Sequence, residues 1–376
     1  MDRDTQVVVV GGGIAGVSAA FQLSKTHRVV LLEREAQLAH HTTGRSAAVY
    51  IVNYGGPIAM RLTKASREFL DATPHAGHAI LEDRGVLMVG DEASRASIEA
   101  LAVEGNALDP TIELLDGAAA RAMVPVLREE AAVVGMYEPG GSGMDVMGLH
   151  QAFVRGAVAH GAEILRHEGA LRLERSNGRW RVSASNVTVE ADVIVNAAGA
   201  WGDELAAMAG VAPVGLVPMR RTAFTAPVVA DPTSWPLVHI DSVDGPAYFK
   251  PEAGGQLLCS PADETPSVAC DAKPEEIDVA LAIDRLNTMT TLDIRSVAST
   301  WAGLRTFSVD RQPVLGMDTE VPGFCWMVGQ GGTGITTAAA SGEVVAAAVR
   351  GEALPEHLLA LGLDFDMLGP KRLRTR

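Results

Sequence analysis

The run Gly11-Gly12-Gly13-Ile14-Ala15-Gly16 constrains this chain more than any other feature, because of what stands on either side of it. Val7 to Val10 before it is a continuous β-branched run that predicts a buried strand, and Ile14 to Ser24 after it predicts a helix. Arg28 to Leu32 is a second apolar run, followed at once by Glu33, 17 residues after Gly16. Strand, glycine turn, helix, strand and terminal acid form one βαβ unit of the kind that binds a dinucleotide. Gly11 permits the tight turn, Gly13 lets backbone approach a pyrophosphate, and Gly16 lets helix and strand pack closely. The helix N-terminus faces the phosphate charge. Glu33 can accept hydrogen bonds from ribose hydroxyls, which argues for an unphosphorylated ribose. The motif alone does not separate FAD from NAD.

At 376 residues the chain is too long for one ordinary core, so two domains or one large α/β unit with an insertion are expected. Hydrophobic residues make up 47% against 20% charged, the profile of a folded chain and not of a disordered one. A formal charge of −15 argues against nucleic acid or an anionic membrane as partner, since either needs clustered Lys and Arg. Cys259, Cys270 and Cys325 are far apart and odd in number, which indicates neither a disulfide framework nor a zinc site and fits a reducing cytoplasm. The start, MDRDTQ, leaves no room for a signal peptide. Gly334 to Val349 is too short and too polar for a membrane span and reads as a core helix, so no transmembrane segment is expected.

A helix is expected from Pro57, where Ile58, Leu62, Ala65 and Phe69 recur at helical spacing. The loop before it, His40 to Gly56, is unusually long for a plain connection and is a functional candidate. Gly148 to His160 predicts another helix, with Leu149, Ala152, Phe153, Gly156 and Ala157 on one face. Ala170 to Glu174 and Arg179 to Ala184 alternate like strands about Ser176-Asn177-Gly178, a strong hairpin signal, and Asp192 to Asn196 is a continuous apolar strand. Val214 to Ser299 changes character and reads as an inserted antiparallel unit, with the α/β pattern resuming near Trp301. The expected fold class is α/β: a discontinuous Rossmann-like dinucleotide-binding domain over 1–79, 143–213 and 300–376, with an inserted α+β substrate domain over 80–142 and 214–299 built on an antiparallel sheet.

Three further runs carry a resemblance. Thr42-Thr43-Gly44-Arg45-Ser46-Ala47-Ala48 follows Glu33, Asn196-Ala197-Ala198-Gly199-Ala200-Trp201 follows a buried strand, and Gly329-Gln330-Gly331-Gly332-Thr333-Gly334 opens the last helix. With the N-terminal fingerprint they resemble the D-amino acid oxidase family of flavoproteins over nearly the whole chain. Within it, TGRSAA, TWAGLR and the QGG-x-GI run are most similar to bacterial D-arginine dehydrogenases. The resemblance implies FAD as cofactor, and it adds Arg34, Ile335 and Thr336 to the cofactor-binding set with Ile14 and Ala15. Thr43, Arg45 and Ser46 offer donors one strand beyond the ribose acid. Gly331, Gly332 and Gly334 let backbone N–H groups meet the flavin edge, with the positive end of the following helix nearby. Some relatives attach flavin through a cysteine near the Leu304-Arg305 position; none stands there, so binding is expected to be non-covalent. Cys325, in an apolar strand-like run, reads as a buried inert thiol. His40-His41 reads as a solvated loop pair, and no histidine spacing suggests a metal.

On a flavin the cofactor does the redox work, so the substrate site needs a cation for a carboxylate and a group to orient it. By resemblance Arg305, in Trp301-Ala302-Gly303-Leu304-Arg305, is the carboxylate anchor, a role its bidentate fork suits. Arg221 matches another substrate-side arginine, Tyr248 a tyrosine over the substrate, and Tyr54 a tyrosine on the loop that gates the pocket. Three positions depart from the arginine-oxidising pattern: Val49 stands for a histidine, Val86 falls near a glutamate for the guanidinium, and Thr333 replaces a tyrosine. The expectation is oxidative deamination of a small amino acid, D-configured and with a neutral or apolar side chain, by hydride transfer from its alpha carbon. Alternatives are a secondary amino acid, a 2-hydroxy acid, or a non-catalytic flavin-binding subunit. The electron acceptor, whether oxygen, a quinone or another carrier, stays open.

Overall fold

A computed structural model of the chain describes residues 2–4, 6–47 and 49–374. Its first layer is a six-stranded sheet in the order Glu163–Leu165, Val29–Leu32, Val7–Val10, Val193–Asn196, Phe324–Val328, Val314–Met317. The first five strands run parallel, and only the edge strand Val314–Met317 is antiparallel. The central strands are apolar on both faces because both are covered. On one face lie helices Ile14–Ser24, Val146–Ala159 and Ala338–Arg350, which pack on one another around Val17, Phe153 and Val344. On the other face Val8, Ile194 and Trp326 meet a four-stranded sheet through Trp180 and Val182. The hairpin in that small sheet turns on Asn177 and Gly178 with φ of 51° and 81°, the left-handed pair that a two-residue turn requires.

Helix Val146–Ala159 starts two residues earlier than the apolar spacing suggests, because the Asp145 carboxylate caps it by accepting the Gly148 N–H. The alanine-rich helix is not the last, since short helices Glu356–Ala360, Phe365–Leu368 and Lys371–Arg374 follow it, and it starts later, at Ala338. The Thr333, Thr336 and Thr337 hydroxyls all donate to backbone carbonyls there and hold residues 334–337 as turns. No helix among the described residues is long and apolar enough to cross a membrane.

The second layer is a nine-stranded sheet. Val217–Pro227, Gln256–Ser260, Ala247–Glu252, Leu237–Asp241, Val86–Gly90 and Val134–Glu138 follow one another across it. It is antiparallel except where Leu237–Asp241 runs parallel to Val86–Gly90, a pairing between segments about 150 residues apart that the local pattern could not announce. Ser299–Phe307 pairs with Val217–Pro227 along its whole length, so the α/β pattern resumes after Phe307 and not near Trp301. The reason is that its ladder with the neighbouring strand continues unbroken from Ser299 to Phe307. Phe224, Cys259, Phe249, Val238 and Leu87 stand in one row and bury themselves under helix Glu276–Met289. The alternate positions therefore share the opposite face: Arg221, Ala223, Tyr248, His239 and Met88, with Arg305 in register beside Met219. That face meets the glycine-rich end of the first layer.

Candidate functional site

One continuous cleft, about 1640 Å³ including its open mouth, runs from the Gly11–Gly13 turn to Arg221, Tyr248 and Arg305. Gly11 has φ of +114°, and a Cβ there would come 2.3 Å from the Ala197 carbonyl oxygen. A Cβ at Gly16 would lie 1.8 Å from the Gly11 oxygen, so Gly16 serves the packing of helix on turn and does not line the cleft. Gly13, Ile14 and Ala15 do line it. The Ile14 N–H donates to the Thr43 Oγ1 at 3.0 Å, while the Gly13 and Ala15 N–H groups have no hydrogen-bond partner among the described residues. Unspent donors at a helix N-terminus are what a pyrophosphate needs. At this end the Glu33 carboxylate is oriented by the Gly12 N–H at 2.6 Å and the Glu35 N–H at 2.8 Å.

The Arg34 guanidinium lies 3.8 Å over the Trp201 ring, and His41 packs against the same indole. His41 is thus not a solvated loop residue: its Nε2 also pairs with Glu35 at 2.9 Å, because the Trp201 platform draws the ring inward. Glu35, His40 and His41 come together with ligand atoms within 4.8 Å of one another. Ala198, Gly199 and Ser46 line the cleft, whereas Gly44 packs against the Ala39 carbonyl. Ala48 lies outside the described residues. Arg45 reaches the cleft wall, but its guanidinium is engaged elsewhere: it pairs with Asp271 and donates to the carbonyls of Ala272 and Ala302. Thr42 donates to the Leu304 carbonyl at 2.7 Å, so the whole turn is pinned to strand Ser299–Phe307.

At the other end Gly331, Gly332, Gly334 and Ile335 line the cleft. The Gly331 N–H is committed to the Thr306 carbonyl, and the Gly332 and Gly334 N–H groups are not committed to any described residue. Thr336 faces away, bonded to Thr63 and to the Thr333 carbonyl. Thr333 packs against Gly55, behind Tyr54. A cleft of this length, with free N–H donors at both glycine turns and a fixed carboxylate at one end, fits an extended dinucleotide such as FAD. Cys325 is fully buried, and burial pushes its thiol up to about 12, so it is inert there.

Arg305 Nη1 donates to Tyr54 Oη at 3.0 Å, and a Cβ on Gly332 would come 2.9 Å from both atoms. The guanidinium therefore sits directly on the glycine turn. It is deep within the protein and has no carboxylate within ion-pair distance among the described residues. Such a charge is costly without an anion, so the site is built for one to arrive. Burial raises the Tyr54 pKa, but Arg305 and Arg221 outweigh it and hold the phenol below its usual value. Arg221 differs: its Nε donates to the Asp263 carbonyl at 2.6 Å and its Nη2 pairs with Glu264 at 3.2 Å. Glu264 also pairs with Arg311, which lies over the Phe307 ring. Tyr248 is buried beside Ala223.

Val49 and Val86 do not line this cleft. Val49 borders a separate cavity with Glu82, Arg84 and Lys250. Val86 packs against Gly141, next to Glu138 across the ladder. Glu138 is fully buried and receives the Val52 N–H at 2.6 Å and the Asn53 N–H at 3.3 Å, which fastens the loop leading to Tyr54. Sequence reasoning passed over Glu138, His150, whose Nε2 meets the Gly12 carbonyl at 3.0 Å, and His239 on the arginine-bearing face. No local spacing marks any of the three.

The profile of the DAO family, FAD dependent oxidoreductase, matches residues 6–348. Glycerol-3-phosphate dehydrogenase 1 of Mycobacterium tuberculosis is 26% identical over 326 residues, 80% of this chain and 62% of that protein. Mitochondrial sarcosine dehydrogenase of Mus musculus is 23% identical over 369 residues, 90% of this chain and 39% of that protein. The chain thus spans less than two thirds of the length of these relatives. Among solved structures, glycine oxidase from Geobacillus kaustophilus superposes with a TM-score of 0.85 at 21% identity, covering 98% of this chain and 99% of the other. L-proline dehydrogenase from P. horikoshii superposes with 0.87 at 21% identity, covering 100% and 99%. With the matched profile over most of its length and a cleft that fits the cofactor, the chain belongs to the DAO family of FAD dependent oxidoreductases, and FAD is its cofactor.

Proposed function

We propose that this enzyme oxidises the carbon–nitrogen bond of a small amino acid, D-configured and with a neutral, at least partly apolar side chain. One observation carries the reading: the Arg305 guanidinium has a hydrogen bond to Tyr54 and no carboxylate within ion-pair distance among the described residues, and it lies against the glycine turn at the flavin end. It would hold the substrate carboxylate, Tyr54 and Tyr248 would orient it, and Arg221 would add positive potential while tied to Glu264. Bound FAD supplies the hydride acceptor. In this reading residues 1–79, 143–213 and 300–376 hold the cofactor and 80–142 and 214–299 the substrate, with strand Ser299–Phe307 shared between the two roles.

The state of the acids nearby supports the neutral side chain. Glu264 is already shared by Arg221 and Arg311, and the Asp263 carboxylate is held in place by the Thr222 N–H and hydroxyl, which favours a substrate without a cationic substituent. The likeness of the TGRSAA and TWAGLR runs to D-arginine dehydrogenases therefore transfers the chemistry and not the guanidinium. Relatives named for sarcosine and L-proline favour a second reading, a secondary amino acid at the same anchor. Anaerobic flavin reduction with matched D and L amino acids, sarcosine, proline and 2-hydroxy acids separates them. Fastest reduction by a neutral D-amino acid supports the first reading; reduction by 2-hydroxy acids alone overturns the reaction.

A further inference from the structure

His239 stands between Val238 and Ile240, both fully buried in the core under helix Glu276–Met289. Alternation turns its ring to the other face of the sheet, opposite Tyr248 on one neighbouring strand and Met88 on the other. That is the face bearing Arg221 and Arg305. The imidazole is deep in the protein yet keeps some accessible surface, on the side of the sheet that carries Tyr248 and Arg221, which line the cleft. None of the described residues gives it a hydrogen bond. By the same alternation Arg221, Arg305, Tyr248, Lys250, Asp241 and the buried Glu138 share this face, and of these Arg221 and Arg305 act on the ring. Burial first, then the two guanidiniums, hold its pKa at about 4, so the ring is neutral near pH 7. A neutral imidazole offers one N–H donor and one acceptor nitrogen, and both are unspent here.

We propose that His239 is a specificity-determining residue that, with Met88, forms the side-chain end of the substrate chamber and hydrogen-bonds a neutral polar group on the bound amino acid. The inference deepens the proposed function and rests on Arg305 as carboxylate anchor. With the carboxylate at Arg305 and the alpha carbon beside Tyr248, the next strand lies roughly 5 Å farther on. A side chain of medium length then ends against His239. Two arginines already stand nearby, so a cationic substituent is repelled, and the uncharged ring has no charge to offer it in return. A terminal amide, by contrast, can both donate to and accept from the imidazole. Met88 packs against Ile98 and Met136 and gives the same wall an apolar part.

The test uses two unreactive carboxylates and the FAD-loaded enzyme, read by perturbation of the flavin spectrum. Butyrate presents the carboxylate alone, and succinamate adds a terminal amide. Wild type is expected to bind succinamate about fivefold more tightly than butyrate, the worth of one neutral hydrogen bond. His239→Leu should bring that ratio close to one and leave butyrate affinity within about twofold of wild type, since the anchor is untouched. His239→Gln, which keeps a neutral donor and acceptor, should retain most of the preference and guards against a folding defect in the leucine variant. A wild-type ratio near one, an unchanged ratio in His239→Leu, or a glutamine variant that behaves as leucine overturns the role of His239 alone. Binding of neither carboxylate to wild type overturns the Arg305 anchor and the inference with it.

Discussion

The Nη1 of Arg305 donates to the Oη of Tyr54 across 251 residues of sequence, at 3.0 Å. This one bond joins a strand of the nine-stranded sheet to the loop that Glu138 and Asn53 hold from behind. Removing each partner has a different consequence. Arg305→Met deletes the charge proposed to hold the substrate carboxylate, a loss of roughly 2–5 kcal/mol, so kcat/KM should fall by about 30-fold to several thousandfold with FAD retained. Tyr54→Phe deletes only a neutral hydroxyl and should cost about 5- to 15-fold. Steady-state kinetics with flavin content measured on the same samples checks both. Near-normal activity of the methionine variant would move the anchor to Arg221.

Gly13 and Gly16 look alike in the fingerprint but answer to different forces. A Cβ at Gly16 collides with the Gly11 carbonyl at 1.8 Å, whereas at Gly13 it meets only the Thr43 Oγ1 at 3.3 Å. Gly16→Ala should therefore destabilise the chain with or without cofactor. Gly13→Val should fold and fail to retain FAD, its branches filling the space of the pyrophosphate. Thermal unfolding and the flavin absorbance of purified protein separate the two outcomes. In wild type the denatured chain should release intact FAD, and flavin left on the precipitate would contradict non-covalent binding.

Arg45 tests where the family resemblance stops being a guide. Its guanidinium holds Asp271 and the carbonyls of Ala272 and Ala302, and so fastens the segment that follows Glu264 to the Thr42–Arg45 turn and to strand Ser299–Phe307. Arg45→Ala should lower stability by about 1–3 kcal/mol and expose residues 263–275 to protease, while FAD stays bound. Complete loss of FAD with unchanged proteolysis would return Arg45 to the cofactor-binding set.

What was legible in the sequence and what was not divides along the range of the contacts. The glycine turn, Glu33 and the Asn177-Gly178 hairpin are determined within a few residues or one βαβ unit, and spacing alone reveals them. His239 opposite Tyr248 and Met88 depends on the register of three strands drawn from distant segments, so nothing near His239 marks it. Arg45 is a similar case, because a guanidinium's partners 226 and 257 residues away have no local trace. Val49 and Val86 were placed at the substrate by likeness; the ladders put one beside a second cavity and the other against Gly141.

The neutral state of His239 also sets a pH dependence of stability. Its folded pKa, about 4, lies below the ordinary value of 6.5, so the unfolded chain binds this proton first as pH falls. Above about pH 6.5 the group contributes nothing to the pH slope; between 6.5 and 4 it lowers stability, by at most about 3 kcal/mol, and below 4 its effect is constant. His150, lowered by burial, acts in the same direction. Carboxylates titrate in wild type and variant alike, so the difference between wild type and His239→Gln isolates the term. Denaturant unfolding at pH 7 and pH 5 should show wild type losing more stability than the variant; equal losses would place a charged imidazole in the folded protein.

The side chain of the substrate is the farthest step from the geometry, and the balance of charge at the anchor decides it. Arg305 and Arg221 provide two positive groups on one sheet face, and the acids beside them are already divided among Arg221, Arg311 and Thr222. A substrate carboxylate offsets one positive charge. A cationic head would then stand near the other with Glu264 already shared by two arginines, a penalty of several kcal/mol before any contact is gained. D-arginine and D-lysine should therefore reduce the flavin at least tenfold more slowly than D-leucine, D-methionine or D-phenylalanine at the same pH, a difference of about 1.4 kcal/mol or more. Rates for all of them should rise with pH as the amine loses its proton, because hydride leaves the alpha carbon readily only when the nitrogen lone pair is free. Second-order rate constants from anaerobic stopped-flow reduction give the comparison. If D-arginine is fastest, the guanidinium has found a carboxylate away from the Arg305 end of this cleft, and Glu82, on the neighbouring cavity with Val49, is the one to mutate first.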